Sequence, residues 1–159
     1  MNPCPCGHHG DLARRCRCTT NELLRYRRRV SGPLLDRIDL HVDVPAVPPA
    51  ALGLAGSGPS SAEVRARVAR VRACSMARDP KGRLNARLRG AVLRRTCQLD
   101  AAGRRLLTAT MEKLGLSARA HDKVLRVART IADLEGAEAV GMAHLAEAIQ
   151  YRGLDRAIT

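Results

Sequence analysis

From Ser60 onward the apolar residues return every three or four positions, between matched start and stop signals. This pattern limits the fold more than any other feature of the chain. Val64, Val68 and Val71 fall on one helical face, and Ser60 and Glu63 are spaced as a capping box at its start. The stretch "DPKG" breaks that helix, and Asn85 is expected to cap the next, through Leu88, Val92 and Leu93. Asp100 can cap "AAGRRLLTATMEKL", with Leu107, Met111 and Leu114 as its stripe and Gly115 as its stop. Ser117 opens "ARAHDKVLRVARTIADL", where Val124, Val127, Ile131 and Leu134 recur before Gly136. A last helix carries Met142, Leu145 and Ile149. Each helix has one apolar stripe and one basic face, so the set should bury its stripes together as a bundle. The only aromatic residues are Tyr26 and Tyr151, which leaves the core to aliphatic side chains and favours helices over sheet.

The first sixty residues read differently. Residues 1–18 form an irregular Pro/Gly/Cys loop, and Thr20 is positioned to cap a helix running to Arg29. Ser31-Gly32-Pro33 stops it, and "PLLDR" can make a short turn with proline at its start. In "RIDLHVDVP" Ile38, Leu40, Val42 and Val44 alternate with Asp39, His41 and Asp43, which predicts a strand with one buried face. Pro45 to Ser61 is rich in Pro, Gly and Ala and reads as a linker. A strand without neighbours has open edges, so this N-terminal part is expected to be the less stable lobe.

The net charge of +13 points to a polyanion, with nucleic-acid backbone or nucleotide phosphate as the chemistry and solvated arginine faces as the plain alternative. Two aromatics provide no stacking platform, so contacts to DNA would be phosphate contacts, sensitive to salt and blind to sequence. No apolar run is long enough to span a bilayer and no signal peptide is visible, from which a cytoplasmic location without disulfides is expected.

Four of the six cysteines stand as two Cys-x-Cys pairs, Cys4/Cys6 and Cys16/Cys18. Zinc needs four ligands converging on one point, and the loop between the pairs, with Gly7 and Gly10, can fold back to supply them. His8 and His9 are reserve ligands. A structural zinc site, an unliganded thiol loop and disulfides are the three readings, the last disfavoured by compartment. Cys74 and Cys97 read as small core residues. The sequence contains no G-x-x-x-x-G-K-[ST] loop, no apolar strand ending in Asp-Glu and no Ser/His/Asp set. Taken alone, these residues make no convincing active site.

As a set, "MNPCPCGHHGD…CRC", "RYRRRVSGPLLDRIDLHVDVP", "LGLSARAHDKVLRVARTIADLEG" and "HLAEAIQYRGLDR" resemble the bacterial magnesium-chelatase-like AAA+ ATPases of the YifB/ComM type, over almost the whole chain and in family order. The resemblance implies a mainly α chain. Residues 1–48 would be the end of an α/β ATPase core, 49–61 a linker, and 62–159 a helical lid. It also implies that Walker A and Walker B segments lie upstream, so that the chain is the C-terminal part of a longer protein. Three residues acquire roles from it. Asn2 matches sensor 1, an amide that can donate to phosphate and accept from water; otherwise it merely starts a turn. Arg37 matches an arginine finger reaching the nucleotide of a neighbouring subunit; otherwise it pairs with Asp36 or Asp39. Arg119 matches sensor 2 on the lid, contacting nucleotide in cis; otherwise it is one exposed arginine among many.

By resemblance, the full-length protein is an ATP- and Mg2+-dependent motor for DNA branch migration in natural transformation, working as a ring, expected to be hexameric. The Cys-x-Cys pairs favour this branch over metal insertion into a porphyrin. The alternative is a stand-alone, zinc-supported basic module that binds nucleic acid without nucleotide chemistry.

Overall fold

The computed structural model describes residues 1–11, 14–45, 47, 52 and 58–153. Among these residues the chain is mainly α, with seven helices and no strand. They are α1 (Thr20–Arg27), α2 (Gly32–Leu35), α3 (Ser61–Arg78), α4 (Gly90–Thr96), α5 (Ala101–Leu114), α6 (Ala118–Glu135) and α7 (Met142–Gln150). A 3-10 turn, Asn85–Arg87, precedes α4. Of the expected linker 49–61, residues 49–51 and 53–57 lie outside the described residues, as does the tail 154–159.

Helix α6 is the hub of the bundle. Ala120, Val124, Leu125, Ala128, Ile131 and Ala132 are buried along it, and α7, α3, α4 and the 3-10 turn all pack against it. Small residues at 120, 128 and 132 allow close approach, while Leu88, Leu93, Leu107, Val140, Leu145 and Ile149 from the surrounding elements complete the core. Each fully buried Leu or Val contributes roughly 1.5–3 kcal/mol over its exposed state, and these contacts, not helix propensity, hold the elements together.

The predicted punctuation is present in most places. Ser60 and Glu63 form a reciprocal capping box, Asp100 Oδ1 accepts from the Gly103 N–H at 2.7 Å, and Ser117 Oγ from that of Ala120 at 3.2 Å. Gly115 and Gly136 end their helices at φ 59° and 77°, a left-handed conformation that a side chain would strain.

Four expectations are corrected. Thr19, not Thr20, caps α1, because its hydroxyl and N–H are the groups that exchange hydrogen bonds with Glu22. Asn85 caps no α-helix. It is buried, and its side chain is held by Ser75, Thr130 and Asp133. The stretch Ile38–Val44 forms no strand, and its apolar set does not face a core. Ile38, Leu40, Val42 and Val44 are exposed while His41 is buried. Period two makes a ladder only where another strand lies alongside. Here the backbone pairs instead with the end of α7, His41 N–H donating to Tyr151 O at 2.8 Å and Arg152 Nη1 to Ile38 O at 2.7 Å. Finally, the valine stripe of α3 is only half used: Val71 is buried, but Val64 and Val68 are exposed because the first half of the helix projects beyond the bundle.

A polar cluster lies inside the bundle. Asp133 and Arg129 have side chains only 1% exposed. Asp133 accepts from both terminal nitrogens of Arg78, from Asn85 Nδ2 at 2.7 Å and from Arg129 Nε at 3.1 Å. Arg129 also donates to the carbonyls of Ala137 and Glu138 beyond the end of α6. Burial alone would raise the Asp133 carboxyl; the hydrogen bonds from Arg78 and Asn85 and the charge of Arg129 outweigh it and hold the group below the ordinary carboxylate range. The cluster locks α3, the 3-10 turn and α6 in one register.

Candidate functional site

A cleft of about 550 Å³ opens where α2 meets the start of α6. Arg37, Arg89, Arg119, Lys123 and Arg126 line it, against Asp36 and Asp122. Its construction follows from two short-range choices in the sequence. Leu35 is the one buried residue of α2 and lies against the α5–α6 turn, beside Leu114, Leu116 and Ser117. Ser117 then serves twice. Its hydroxyl oxygen caps α6, and its hydroxyl proton is donated to Asp36 Oδ1 at 3.1 Å. Asp36 precedes Arg37, and Ser117 lies two residues before Arg119, so this single bond brings the two arginines to one opening.

The carboxylates nearest Arg37 are already engaged. Asp36 takes the Ser117 hydroxyl and lies 4.0 Å from buried Arg152, and Asp39 pairs with Lys123 at 3.0 Å. Arg126 is tied to Asp122, through the backbone carbonyl at 3.1 Å and the carboxylate at 3.9 Å. Among the described residues, Arg37, Arg89 and Arg119 make no ion pair. Three guanidinium groups without carboxylate partners among the described residues, next to the N-terminus of an eighteen-residue helix, make a cleft suited to an anion with several oxygens. The pairing of Arg37 with Asp36 or Asp39, which its neighbours in sequence suggest, is therefore absent.

Asn2 is not part of this cleft. It is exposed on the cysteine loop, near Gly7. Of the three residues given nucleotide roles by resemblance, the fold thus brings two together and leaves the third apart. Arg89, Lys123 and Arg126 join them in the cleft without a role from the resemblance. For Lys123 and Arg126 a signal existed: residues 119, 123 and 126 follow the i, i+4, i+7 spacing of one helix face. Arg89 carried none, since it precedes α4 in an irregular turn.

The cysteine loop forms a second constellation. Cys4 and Cys6 Sγ are 3.3 Å apart, Cys4 and Cys16 3.8 Å, Cys6 and Cys16 3.6 Å. The sulfurs of Cys4, Cys6, Cys16 and Cys18 all lie within 4.8 Å of one another. Hydrogen bonds from the backbone of His8 and then Arg17 favour the Cys6 thiolate and lower its pKa to about 6. A backbone hydrogen bond from Cys6 favours the Cys18 thiolate as well, but desolvation and the neighbouring thiols outweigh it and push that group up to about 12. His8 Nδ1 faces Asp11 at 3.3 Å, which engages one reserve ligand. Of the remaining cysteines, Cys97 is buried as expected, and desolvation pushes its thiol up to about 11. Cys74 is exposed, a correction: α3 turns Val71 and Ser75 inward here and leaves Cys74 on its outer side.

Comparison with known proteins gives the family of the chain. Residues 58–152 match the family model described as magnesium chelatase, subunit ChlI C-terminal, and residues 1–52 match that of magnesium chelatase, subunit ChlI. The chain belongs to this magnesium chelatase family. It is 45% identical over 157 residues to the uncharacterized protein YifB of Salmonella typhimurium and 41% identical over 157 residues to competence protein ComM of Haemophilus influenzae. Each alignment covers 98% of this chain and 30% of the relative. An uncharacterized protein of Mycobacterium tuberculosis is 37% identical over 153 residues. The chain thus spans about 30% of the length of these curated relatives. No helix among the described residues is long and apolar enough to cross a membrane.

Proposed function

We propose that this chain supplies the sensor and lid portion of an AAA+ ATPase motor acting on DNA, with residues 1–48 belonging to the ATPase core, 49–61 to a linker and 62–159 to the lid. The observation that carries the reading is the shared cleft of Arg37 and Arg119. Two arginines far apart in sequence, neither ion-paired among the described residues, open on one space held by the Ser117–Asp36 bond. A guanidinium presents a planar fork of donors that remains charged at any working pH, which suits charge building up on a transferring phosphoryl group. Bound ATP would bring magnesium, which would help to neutralise the phosphate charge.

The shared cleft supports a variant of the roles that the resemblance implies. Arg37 and Arg119 meet the same cleft from the same chain, so a phosphate seated there meets both from one subunit. If Arg37 reaches a neighbour's nucleotide in trans, Arg119 acts in trans with it. Asn2, outside the cleft, would then serve a nucleotide held by its own subunit. A ring of subunits, each presenting an arginine pair to the next, satisfies this arrangement.

DNA is the proposed polymer, as branch-migration substrate in natural transformation. The name of the Haemophilus relative, a competence protein, and the exposed Arg65, Arg67, Arg70 and Arg72 of α3 support it. The test is a chimera in which this chain replaces the matching part of a relative, assayed for DNA-stimulated ATP hydrolysis. Arg37→Ala and Arg119→Ala should each lower the rate by about 10³-fold, the scale of an arginine finger. Arg94→Ala, outside the cleft, should leave it unchanged. Full activity in both cleft variants would end the nucleotide reading. DNA binding with a steep salt dependence and no response to ATP would favour a stand-alone nucleic-acid module.

A further inference from the structure

Helix α1 has no buried residue, and among the described residues up to Leu34 only Cys4 is buried. An aliphatic core therefore does not account for the order of this segment. What converges there instead is sulfur.

We propose that Cys4, Cys6, Cys16 and Cys18 hold one zinc ion in a closed, all-thiolate tetrahedral site that joins the Asn2 segment to the start of α1. Zinc bound by thiolates at ~2.3 Å in a tetrahedron sets the sulfurs about 3.8 Å from one another. The separations of 3.3, 3.6 and 3.8 Å among Cys4, Cys6 and Cys16 lie near that edge length. A disulfide requires sulfurs about 2.05 Å apart and engages only two of them. Four sulfurs within 4.8 Å of one another match a single shared ion instead.

The backbone is built for the same end. Gly7 and Gly10 adopt φ 83° and 82°, and turns close from Gly7 N–H to Cys4 O at 3.1 Å and from Asp11 N–H to His8 O at 3.2 Å. These fold the first Cys-x-Cys pair back onto the second. Hydrogen bonds from the backbone of His8 and Arg17 reach the Cys6 sulfur, the kind of support that holds a ligating thiolate in place. Four thiolates on a dication leave a net charge of −2, and Arg14, Arg15 and Arg17 rim the same hollow as Cys6, Cys16 and Cys18. Loading the site releases the protons still held by the thiols, and nothing is oxidised or reduced. With four protein ligands the ion has no open position for water, so its role is structural. The consequence is mechanical. Cys4 lies two residues from Asn2, and Cys18 directly precedes Thr19, the cap of α1. The ion fixes both ends of the segment.

The test is metal analysis of the whole protein, which is independent of any nucleotide assay. Purified under reducing conditions, the chain should retain one zinc per molecule. Cobalt exchanged into the site should show the absorption of a tetrahedral thiolate complex. With metal bound, Cys4, Cys6, Cys16 and Cys18 should alkylate at least about tenfold more slowly than after chelation, while exposed Cys74 reacts equally in both states. Amide exchange over residues 1–11 and 14–27 should rise after chelation and stay unchanged in α6. Cys16→Ser should lose the ion and Cys74→Ser should keep it. If Cys16→Ser does not fold, the wild-type alkylation comparison decides. An octahedral cobalt spectrum, iron in place of zinc, or equal alkylation of the four cysteines with and without metal would overturn the proposal. Normal zinc loading together with an inactive cleft would count only against the nucleotide reading.

Discussion

In the bundle, thirteen buried side chains from four helices, α4 to α7, and the turns beside them form one continuous core. In the segment before α2, Cys4 is the only buried residue among those described. The two regions belong to one chain, yet one is ordered by area removed from water and the other by turns, a capping box and a knot of thiols. The stretch that follows that segment, residues 35–41, meets the bundle through buried Leu35 and a few specific contacts: Ser117 to Asp36, Lys123 to Asp39, Arg152 to Ile38 O, and His41 to Tyr151 O. A hydrophobic core tolerates many small substitutions because its energy is spread over many contacts. A polar joint concentrates its energy in single groups, so single changes should divide the regions cleanly.

The largest effect is expected inside the bundle. Asp133→Ala leaves Arg78 and buried Arg129 without their shared carboxylate and should cost about 3–5 kcal/mol. The urea midpoint by circular dichroism measures it, and a change below about 1 kcal/mol would mean that water or another carboxylate reaches the arginines.

Heating the wild-type chain should next separate the regions. Amide exchange should show residues 1–11 and 14–45 opening at lower temperature than α6 and α7, because they bury almost no apolar area. One cooperative transition for all of them would merge the two regions into one folding unit.

Acid should act mainly on the bundle. Arg83, donating from its guanidinium and its backbone N–H, holds the Asp79 carboxyl far below the usual carboxylate range, and Asp133 is lowered too. A carboxyl whose pKa is lower folded than unfolded stabilises the fold fully above the unfolded value, about 3.9. That stabilisation is lost as pH falls from there through the folded value. Denaturant midpoints should therefore drop between pH 5 and pH 2, and Asp79→Asn should flatten part of the fall.

Ser117→Ala should cost about 1 kcal/mol through the lost cap. It should also free Asp36, loosening the alignment of Arg37 with Arg119. Ser117→Thr, which keeps the hydroxyl, should restore both; if Ser117→Ala leaves amide exchange at residues 34–40 unchanged, the joint does not align the cleft. The smallest effect is at Val68→Ala on the projecting half of α3, within about 0.5 kcal/mol. Val71→Ala, one turn on and buried, should cost clearly more.

The sequence by itself determined the helical elements of the bundle, because apolar spacing and caps such as Ser60, Asp100 and Ser117 act within one or two turns. It also indicated the cysteine quartet, since four like ligands in a short glycine-containing loop meet without help from the rest of the fold. Lys123 and Arg126 were readable beside Arg119 from helical spacing. Tertiary structure decided what depends on neighbours distant in the chain. Ile38–Val44 had the alternation of a strand but found the end of α7 instead of a strand partner. Asn85 looked like a cap and became a buried ligand of Asp133. Arg37 looked like a surface partner of Asp36, until Ser117 and Lys123 claimed the carboxylates on either side of it. Local hydrogen bonds and periodicity are encoded in adjacent residues, whereas burial and charge pairing depend on which distant groups the fold brings within hydrogen-bonding distance.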